Sequence, residues 1–334
     1  MTTDTSPADN LDDLFVNTDP RVRIKGRLAP VLIFASADGG TGVTSFAATA
    51  AELASNAGKV SRTVLADADL VGSGVRQLLR GSGVLPTLLT AQRTGDVRTA
   101  LVSPGTMNTD SVKTPDISFH TILTPSGLAE RATVEHSTAL ASIETAATVA
   151  DLVIVDGGRL TPYVDGSVTQ DVIEPLLRSG AWLVLLTTPT QPGLVGAVDV
   201  LRALASRTGV RLERLMFAVN HVPRRPGDDL TRQIEAMTRT LAKLAVSLGC
   251  VTDDEEQIRS KLRVGILPTK STALAPVLAS VLLRVTGRPE FEPIAAVKHA
   301  RATELVAGGL DEFDPAAAPV QSGPRKRLVG WPRR

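Results

Sequence analysis

One stretch decides the fold of this chain: Val31-Leu32-Ile33-Phe34-Ala35-Ser36-Ala37-Asp38-Gly39-Gly40-Thr41-Gly42-Val43-Thr44-Ser45. Its apolar start predicts a buried strand, its glycines predict a tight turn, and an apolar helical pattern begins at Phe46. Such a turn before a helix N-terminus cradles phosphate, because backbone N–H groups and the helix dipole hold anionic oxygens. A working P-loop has lysine between the last glycine and the hydroxyl residue. Here that residue is Val43, so the stretch predicts the fold but not its usual activity.

Five later segments share one pattern, in which an apolar strand ends in polar or turn residues. They are Thr63-Val64-Leu65-Ala66-Asp67-Ala68-Asp69-Leu70, Asp151-Leu152-Val153-Ile154-Val155-Asp156-Gly157-Gly158, Trp182-Leu183-Val184-Leu185-Leu186-Thr187-Thr188-Pro189-Thr190, Leu215-Met216-Phe217-Ala218-Val219-Asn220-His221 and Gly265-Ile266-Leu267-Pro268. In this order they resemble the Asp-x-Asp motif, the Walker B strand and the three later strands of the ParA/MinD family. The loop resembles that family's deviant Walker A motif, Lys-Gly-Gly-x-Gly-Lys-Thr/Ser. The resemblance extends approximately from Val31 to Leu283. Within the family, the Asp67-Ala68-Asp69 run and the missing lysines are most similar to the MinD-like branch that includes the TadZ/CpaE proteins of pilus assembly.

The resemblance implies a nucleotide site that binds ATP or ADP with Mg²⁺. The loop residues would hold the phosphates, and Asn220 would contact adenine; the loop set is Gly39, Gly40, Thr41, Gly42, Val43, Thr44 and Ser45. The Thr44 hydroxyl is a Mg²⁺ ligand in working P-loops. Asp156 and Asp67 would assist, directly or through water, and Asp69 would orient the attacking water. The alternative for Asp67 and Asp69 is a helix N-cap or a turn after the strand.

The two family lysines are replaced by Asp38 and Val43. Phosphoryl transfer depends on electrostatic stabilisation, so losing the Val43-position cation removes several kcal/mol of transition-state stabilisation. The family's first lysine crosses a dimer interface to the partner's phosphates, and a carboxylate there would repel them. The usual nucleotide-sandwich dimer is therefore disfavoured, and phosphate affinity should be weakened. Arg76 and Arg159 are candidate replacement cations; slow residual turnover of ATP is the alternative to a binding-only or nucleotide-free site.

The whole chain predicts an α/β fold with a doubly wound, mainly parallel sheet, because strands and helices alternate. Strands are predicted at 31–35, 63–66, 117–123, 152–155, 182–187, 215–219 and 263–267. Helices are predicted near 43–57, 130–149, 168–179, 192–207, 229–248 and 271–285. The irregular stretch 81–116 is interpreted as a surface insertion near the nucleotide face. We predict three parts: an acidic disordered tail 1–25, a P-loop NTPase domain 26–310, and a Pro/Ala-rich then basic disordered tail 311–334.

Composition excludes several classes of protein. The 334 residues carry a formal net charge of +1, which gives no global attraction to nucleic acid or anionic membranes, and the 3% aromatic content argues against base-stacking platforms. The single Cys250 excludes an intramolecular disulfide, fits a reducing cytosol and is expected to be buried or inert. No apolar run approaches the roughly 20 residues of a membrane span, and the acidic start is unlike a signal peptide. We therefore expect a cytoplasmic protein, with recruitment to a membrane, pole or septum as a further option.

The two tails are opposite in charge. Residues 1–20 hold five Asp and no Lys or Arg, and within them Leu11, Leu14 and Phe15 form a candidate docking motif for a protein partner. The C-terminal tail carries a basic cluster around apolar residues, which is a candidate for binding an anionic membrane or nucleic acid: Arg325, Lys326, Arg327, Trp331, Arg333 and Arg334. The alternative for both tails is a solvated charged segment.

Two functions from different classes remain. The first is a degenerate pseudo-ATPase that acts as a positioning or scaffold protein for a cellular site or a secretion, conjugation or pilus assembly. The second is an active, atypical ATPase that partitions DNA or cargo through nucleotide-dependent homodimerisation. Non-specific DNA binding would need a basic face on the late helices, for which the candidates are Arg284, Arg288, Lys298 and Arg301. A transferase or synthetase is disfavoured, because no catalytic Cys/His arrangement is present.

Overall fold

The computed structural model describes residues 28–57, 62–72, 74–110, 116–252 and 260–295. Both tail motifs, including Leu11 and Trp331, lie outside these ranges, as do Lys298 and Arg301. Among the described residues, no helix is long and apolar enough to cross a membrane.

An eight-stranded sheet forms the centre of the molecule, in the order β3-β4-β2-β5-β1-β6-β7-β8. The strands are β1 (Val31–Ser36), β2 (Thr63–Asp67), β3 (Leu101–Val102), β4 (His120–Ile122), β5 (Leu152–Arg159), β6 (Trp182–Thr187), β7 (Leu215–Val222) and β8 (Val246–Thr252). All neighbouring strands pair in parallel except β3 and β4, which are antiparallel. The predicted doubly wound, mainly parallel sheet is confirmed.

Helices cover both faces of this sheet. They are α1 (Val43–Asn56), α2 (Gly74–Leu78), α3 (Leu88–Thr94), α4 (Pro104–Asp110), α5 (Leu128–Arg131), α6 (His136–Val149), α7 (Glu174–Arg178), α8 (Gln191–Thr208), α9 (Asp228–Leu241) and α10 (Ala275–Thr286). A π-helical turn, Thr169–Ile173, leads directly into α7.

Alternating strand residues build the two halves of the core. In β1, Leu32 and Phe34 pack with α1 and α10, whereas Ile33 and Ala35 pack with α6 and α8. Continuous apolar runs are expected of parallel strands that are buried on both faces. The continuous apolar runs therefore predicted the central strands correctly. Packing on both faces of the sheet holds these parallel strands with their carboxyl ends along one edge.

The predicted strand at 263–267 is wrong. This segment is a turn, in which Val264 N–H donates to the Lys261 carbonyl at 3.0 Å and Gly265 adopts a φ of +78°. Val264 and Ile266 are exposed, and only Leu267 reaches the core. A short apolar run is not a strand when its side chains cover no sheet neighbour.

The predicted helix 229–248 is too long, because α9 ends at Leu241. The chain turns there, with Ala245 N–H donating to the Leu241 carbonyl at 3.0 Å, and β8 then begins at Val246. The β8 side chains alternate imperfectly between buried and exposed, as at a sheet edge next to β7 alone. In the sequence, this half-buried pattern resembles the continuation of the helix.

Four smaller predictions also change. The stretch 81–116 was interpreted as an irregular insertion, but its described part contains α3, α4 and β3, which completes one edge of the sheet. The strand predicted at 117–123 is confined to His120–Ile122, and the helix predicted at 130–149 is divided into α5 and α6. Cys250 is exposed, because it lies in the edge strand β8 rather than in the core.

Candidate functional site

The Gly-rich loop connects β1 to α1 at the carboxyl edge of the sheet. Gly40 and Gly42 have φ values of +75° and +86°, a conformation that strains residues with a Cβ. Gly42 is the N-cap of α1, and its carbonyl accepts from Phe46 N–H at 3.0 Å. The loop therefore keeps the backbone shape of a phosphate cradle at the N-terminus of a 14-residue helix. Of its other residues, Gly39 is exposed, Thr41 is buried, and Thr44 and Ser45 are half-buried.

The end of β7 braces this loop. Asn220 Nδ2 donates to the Thr41 carbonyl at 2.8 Å, and His221 Nε2 lies 3.2 Å from the Gly40 carbonyl. His221 has a φ of 59°, unusual for a residue with a side chain, and this conformation sets its ring against the loop. Two consecutive strand residues thus hold two consecutive loop carbonyls. The adenine contact predicted for Asn220 stays a prediction, and the bracing role of His221 was not foreseen.

Two buried aspartates lie side by side next to the loop. Asp67 is the last residue of β2, and its Cα pairs in register with that of Asp156 in the neighbouring strand β5. The exposed fractions of Asp67 and Asp156 are 1% and 0%. The Thr124 hydroxyl donates to Asp67 Oδ2 at 2.7 Å, and Gly158 N–H donates to Asp156 Oδ1 at 3.2 Å. The Thr44 hydroxyl lies beside Asp156, where it favours the charged form of the carboxylate. The structure therefore brings together the three residues that the resemblance assigns to Mg²⁺.

Burial dominates the electrostatics of this pair. It raises the pKa of Asp156 to about 6, with a further rise from Asp69, while the Thr44 hydroxyl acts in the opposite direction. Burial also raises the pKa of Asp67 well above its usual value, and repulsion from Asp156 adds to this rise. Two carboxylates in one buried site favour retention of a proton or the arrival of a cation.

The residues present fit a magnesium ion. Asp156 Oδ2 is buried and has no hydrogen-bond partner among the described residues, so a strong acceptor remains unsatisfied beside the Thr44 hydroxyl. Mg²⁺ prefers such oxygen donors and normally completes its shell with water and substrate phosphates. Consistent with this partial ligand set, the described part of the chain contains no cluster of three or more His, Cys, Asp or Glu side chains suited to a metal. Thr44 and Asp156 would be the ligands, with Asp67 behind them.

Asp69 occupies the turn that follows β2. Its Oδ1 accepts from Val71 N–H at 3.1 Å and from Gly72 N–H at 2.8 Å, which is the turn role considered as an alternative. Gly158, at a φ of +58°, packs so closely that a Cβ would lie 2.5 Å from Asp69 Cγ. The side chain thus closes the gap between the ends of β2 and β5, and its predicted role in orienting water remains untested.

Neither of the family's lysine positions contributes a cation. Val43 is 7% exposed and belongs to the core between the sheet, α1 and α10. Asp38 is half-buried at the start of the loop, where its carbonyl accepts from the Ser36 hydroxyl at 2.6 Å. Positive charge for a bound anion must therefore come from elsewhere than these two positions.

Comparison with known proteins gives relatives in structure alone. No protein-family model matches the chain, and no curated protein matches it. Among solved structures, a ParA family ATPase from Chlorobium tepidum TLS is 21% identical at a TM-score of 0.58, over 76% of this chain and 98% of that one. The septum site-determining protein MinD from Pyrococcus horikoshii OT3, complexed with Mg-ADP, is 17% identical at a TM-score of 0.56, over 76% of this chain and 96% of that one. The MinC:MinD cell division protein complex of Aquifex aeolicus is 16% identical at a TM-score of 0.57, over 78% of this chain and 97% of that one. These likenesses show that the chain has the fold of ParA/MinD ATPases.

Proposed function

We propose that this protein is a degenerate, ParA/MinD-like pseudo-ATPase that acts as a positioning or scaffold protein. One observation carries the proposal: the phosphate cradle keeps its backbone geometry, while Val43 and Asp38 replace both lysines. Backbone N–H groups and a helix dipole can hold an anion, but they do not replace the cation that stabilises phosphoryl transfer. Weakened binding of ATP or ADP with Mg²⁺, without efficient turnover, is the chemistry that this site supports.

Two features support the scaffold role: the fold and the two charged tails. Structural relatives include proteins named for septum-site determination and cell division, one of them in complex with MinC. In this chain, the partner-binding elements would be the acidic motif with Leu11, Leu14 and Phe15 and the basic tail from Arg325 to Arg334. They would recruit the protein to a membrane, pole or septum, or to a secretion, conjugation or pilus assembly like those of the TadZ/CpaE proteins.

The second candidate is an active, atypical ATPase that partitions DNA or cargo by nucleotide-dependent dimerisation. The observation in its favour is the unsatisfied Asp156 Oδ2 next to Thr44, a site suited to the catalytic Mg²⁺. Asp38 works against a dimer in which this position faces the partner's phosphates, because a carboxylate repels them.

Calorimetric titration of the full chain with Mg-ATP and Mg-ADP, combined with a phosphate-release assay on the same sample, separates these candidates. Thr44→Val, which removes the hydroxyl but keeps the shape, is the matched control for specific binding. Binding without phosphate release, abolished or weakened by Thr44→Val, supports the pseudo-ATPase. Sustained phosphate release that depends on Thr44 contradicts it and favours the partition ATPase.

The scaffold role is tested by imaging a fluorescent fusion of the full chain beside fusions that lack residues 1–25 or 311–334. A focus or band that disappears when one tail is deleted supports recruitment through that tail. A uniform distribution of the full-length fusion contradicts the scaffold role, whatever the titration shows.

A further inference from the structure

Arg159 is held at the entrance of the phosphate loop. It is the last residue of β5, its Cα pairs in register with Ser36, and the next residue, Leu160, donates its N–H to the Ser36 carbonyl at 2.7 Å. The side chain then crosses to the loop, where Arg159 Nε donates to the Ala37 carbonyl at 3.0 Å. Backbone pairing and one side-chain hydrogen bond thus fix the base of the guanidinium beside the loop.

The rest of this guanidinium is available to a ligand. Arg159 is exposed, and its Nη groups make no hydrogen bond or ion pair with any residue in the described ranges, Asp38 included. An arginine fork carries five N–H donors in one plane, a geometry that suits two oxygens of one phosphate. With Nε engaged by Ala37, the four N–H bonds on the Nη atoms remain.

Arg76, the other candidate cation, is already occupied. It is 4% exposed, and its guanidinium donates to the carbonyls of Ser82, Leu85 and Thr124. Burial lowers its pKa, an effect opposed by the nearby Asp67 carboxylate. Because its donors connect α2 to two neighbouring loops, Arg76 stabilises the wall of the site and leaves no fork for a ligand.

Arg159 lies next to the loop, whose positions Val43 and Asp38 carry no positive charge. On one side it contacts the loop through Ala37, and on the other it follows Gly158, which packs against Asp69. It therefore lies between the phosphate cradle and the carboxylates at the ends of β2 and β5. Arg159 thus places a cation beside the loop, where Val43 and Asp38 supply none.

We propose that Arg159 is the cationic ligand for the outer phosphate of an anion bound in the loop, in place of the missing lysines. This inference relies on the proposed function only in taking the loop as a phosphate cradle. It assigns the site to anions with at least two linked phosphates, such as inorganic pyrophosphate or a nucleoside di- or triphosphate. We expect binding of a phosphate chain to depend on Arg159 more than binding of a single phosphate does.

The experiment is calorimetric titration of the full chain with inorganic pyrophosphate and with orthophosphate, without divalent cations and at two salt concentrations. The variants are Arg159→Gln, Arg159→Lys and, as a matched control, Arg211→Gln, which alters an exposed arginine paired with Glu213 outside the site. We expect Arg159→Gln to weaken pyrophosphate binding about tenfold or more, because charge-assisted hydrogen bonds to phosphate are lost. Arg159→Lys should recover part of this loss, orthophosphate binding should change little, and Arg211→Gln should behave as the unaltered protein.

Equal pyrophosphate affinity in Arg159→Gln and the unaltered protein overturns the inference, and so does an unaltered protein that binds no pyrophosphate. Neither result affects the scaffold role, which the localisation experiment tests separately. Conversely, ATP turnover by the unaltered protein would contradict the pseudo-ATPase, while a selective loss in Arg159→Gln would still support the role of this arginine. Matching thermal unfolding curves for all variants establish that the fold is unchanged.

Discussion

Replacing Asp156 by Asn should stabilise the protein at neutral pH. The carboxylate is fully buried, and burial raises its pKa from 3.8 to about 6. A rise of about two pKa units corresponds to about 3 kcal/mol of penalty for the charged form, by the usual conversion. Asn keeps an oxygen that can accept from Gly158 N–H, and it removes the buried negative charge. We expect the midpoint of thermal unfolding to rise by about 5–10 °C at pH 7.5.

The sign of the pH dependence makes this prediction specific. The folded-state pKa lies above the unfolded value, so the folded protein binds the proton more tightly between pH 4 and 6. The unaltered protein should therefore lose stability as the pH rises through this window, and the raised pKa of Asp67 acts in the same direction. The advantage of Asp156→Asn should be largest above pH 7 and should shrink toward pH 4. Calorimetric unfolding from pH 4 to 8 measures both curves.

The matched control is Asp151→Asn, immediately before the strand that carries Asp156. Asp151 is partly exposed and pairs with Arg62 at 3.7 Å, so its replacement should be neutral or slightly destabilising at pH 7.5. Millimolar Mg²⁺ should stabilise the unaltered protein and the control but not Asp156→Asn, because ligand binding to the folded state adds stability. The reasoning is refuted if Asp156→Asn is destabilised at every pH, or if its effect does not vary with pH.

Three further predictions concern the packing of Gly158, the contact between Asn220 and the loop, and the exposure of Cys250 in β8. Gly158→Ala should destabilise the fold by about 1–3 kcal/mol in thermal unfolding, because a Cβ at positive φ meets Asp69; no loss would contradict this packing. Asn220→Ala removes the bond to Thr41 and should cost about 1–3 kcal/mol while speeding hydrogen exchange of the loop amides, and unchanged exchange would refute the brace. Cys250 should react stoichiometrically with a maleimide in the native protein, whereas labelling that requires denaturant would contradict its exposure.

The sequence predicted the central part of the fold because its strands are buried on both faces. Runs such as Leu152–Val155 and Leu183–Leu186 have no polar interruption, and each is followed by residues that stop a strand. The neighbouring positions of Asp67 and Asp156 could be predicted too, since the carboxyl ends of adjacent parallel strands meet at one edge.

Edges and tertiary contacts could not be predicted in this way. The strand β8 has a neighbour on one side only, so its side chains carry a mixed pattern that resembles a helix end. The brace by His221 depends on a positive φ that no local residue pattern specifies, and on a loop about 180 residues earlier in the chain. Similarly, only the contacts show that Arg76 is enclosed by carbonyls and that Arg159 donates to the Ala37 carbonyl of the loop.

The burial of Val43 determines what a lysine would do at this position. Val43→Lys would bring an ammonium group into a nearly closed space, and an unpaired buried charge costs several kcal/mol. Only a protein already holding a polyanion would gain from that charge, so the substitution would destabilise the ligand-free state. A new cation is therefore tolerated more easily at the rim of the loop than at Val43.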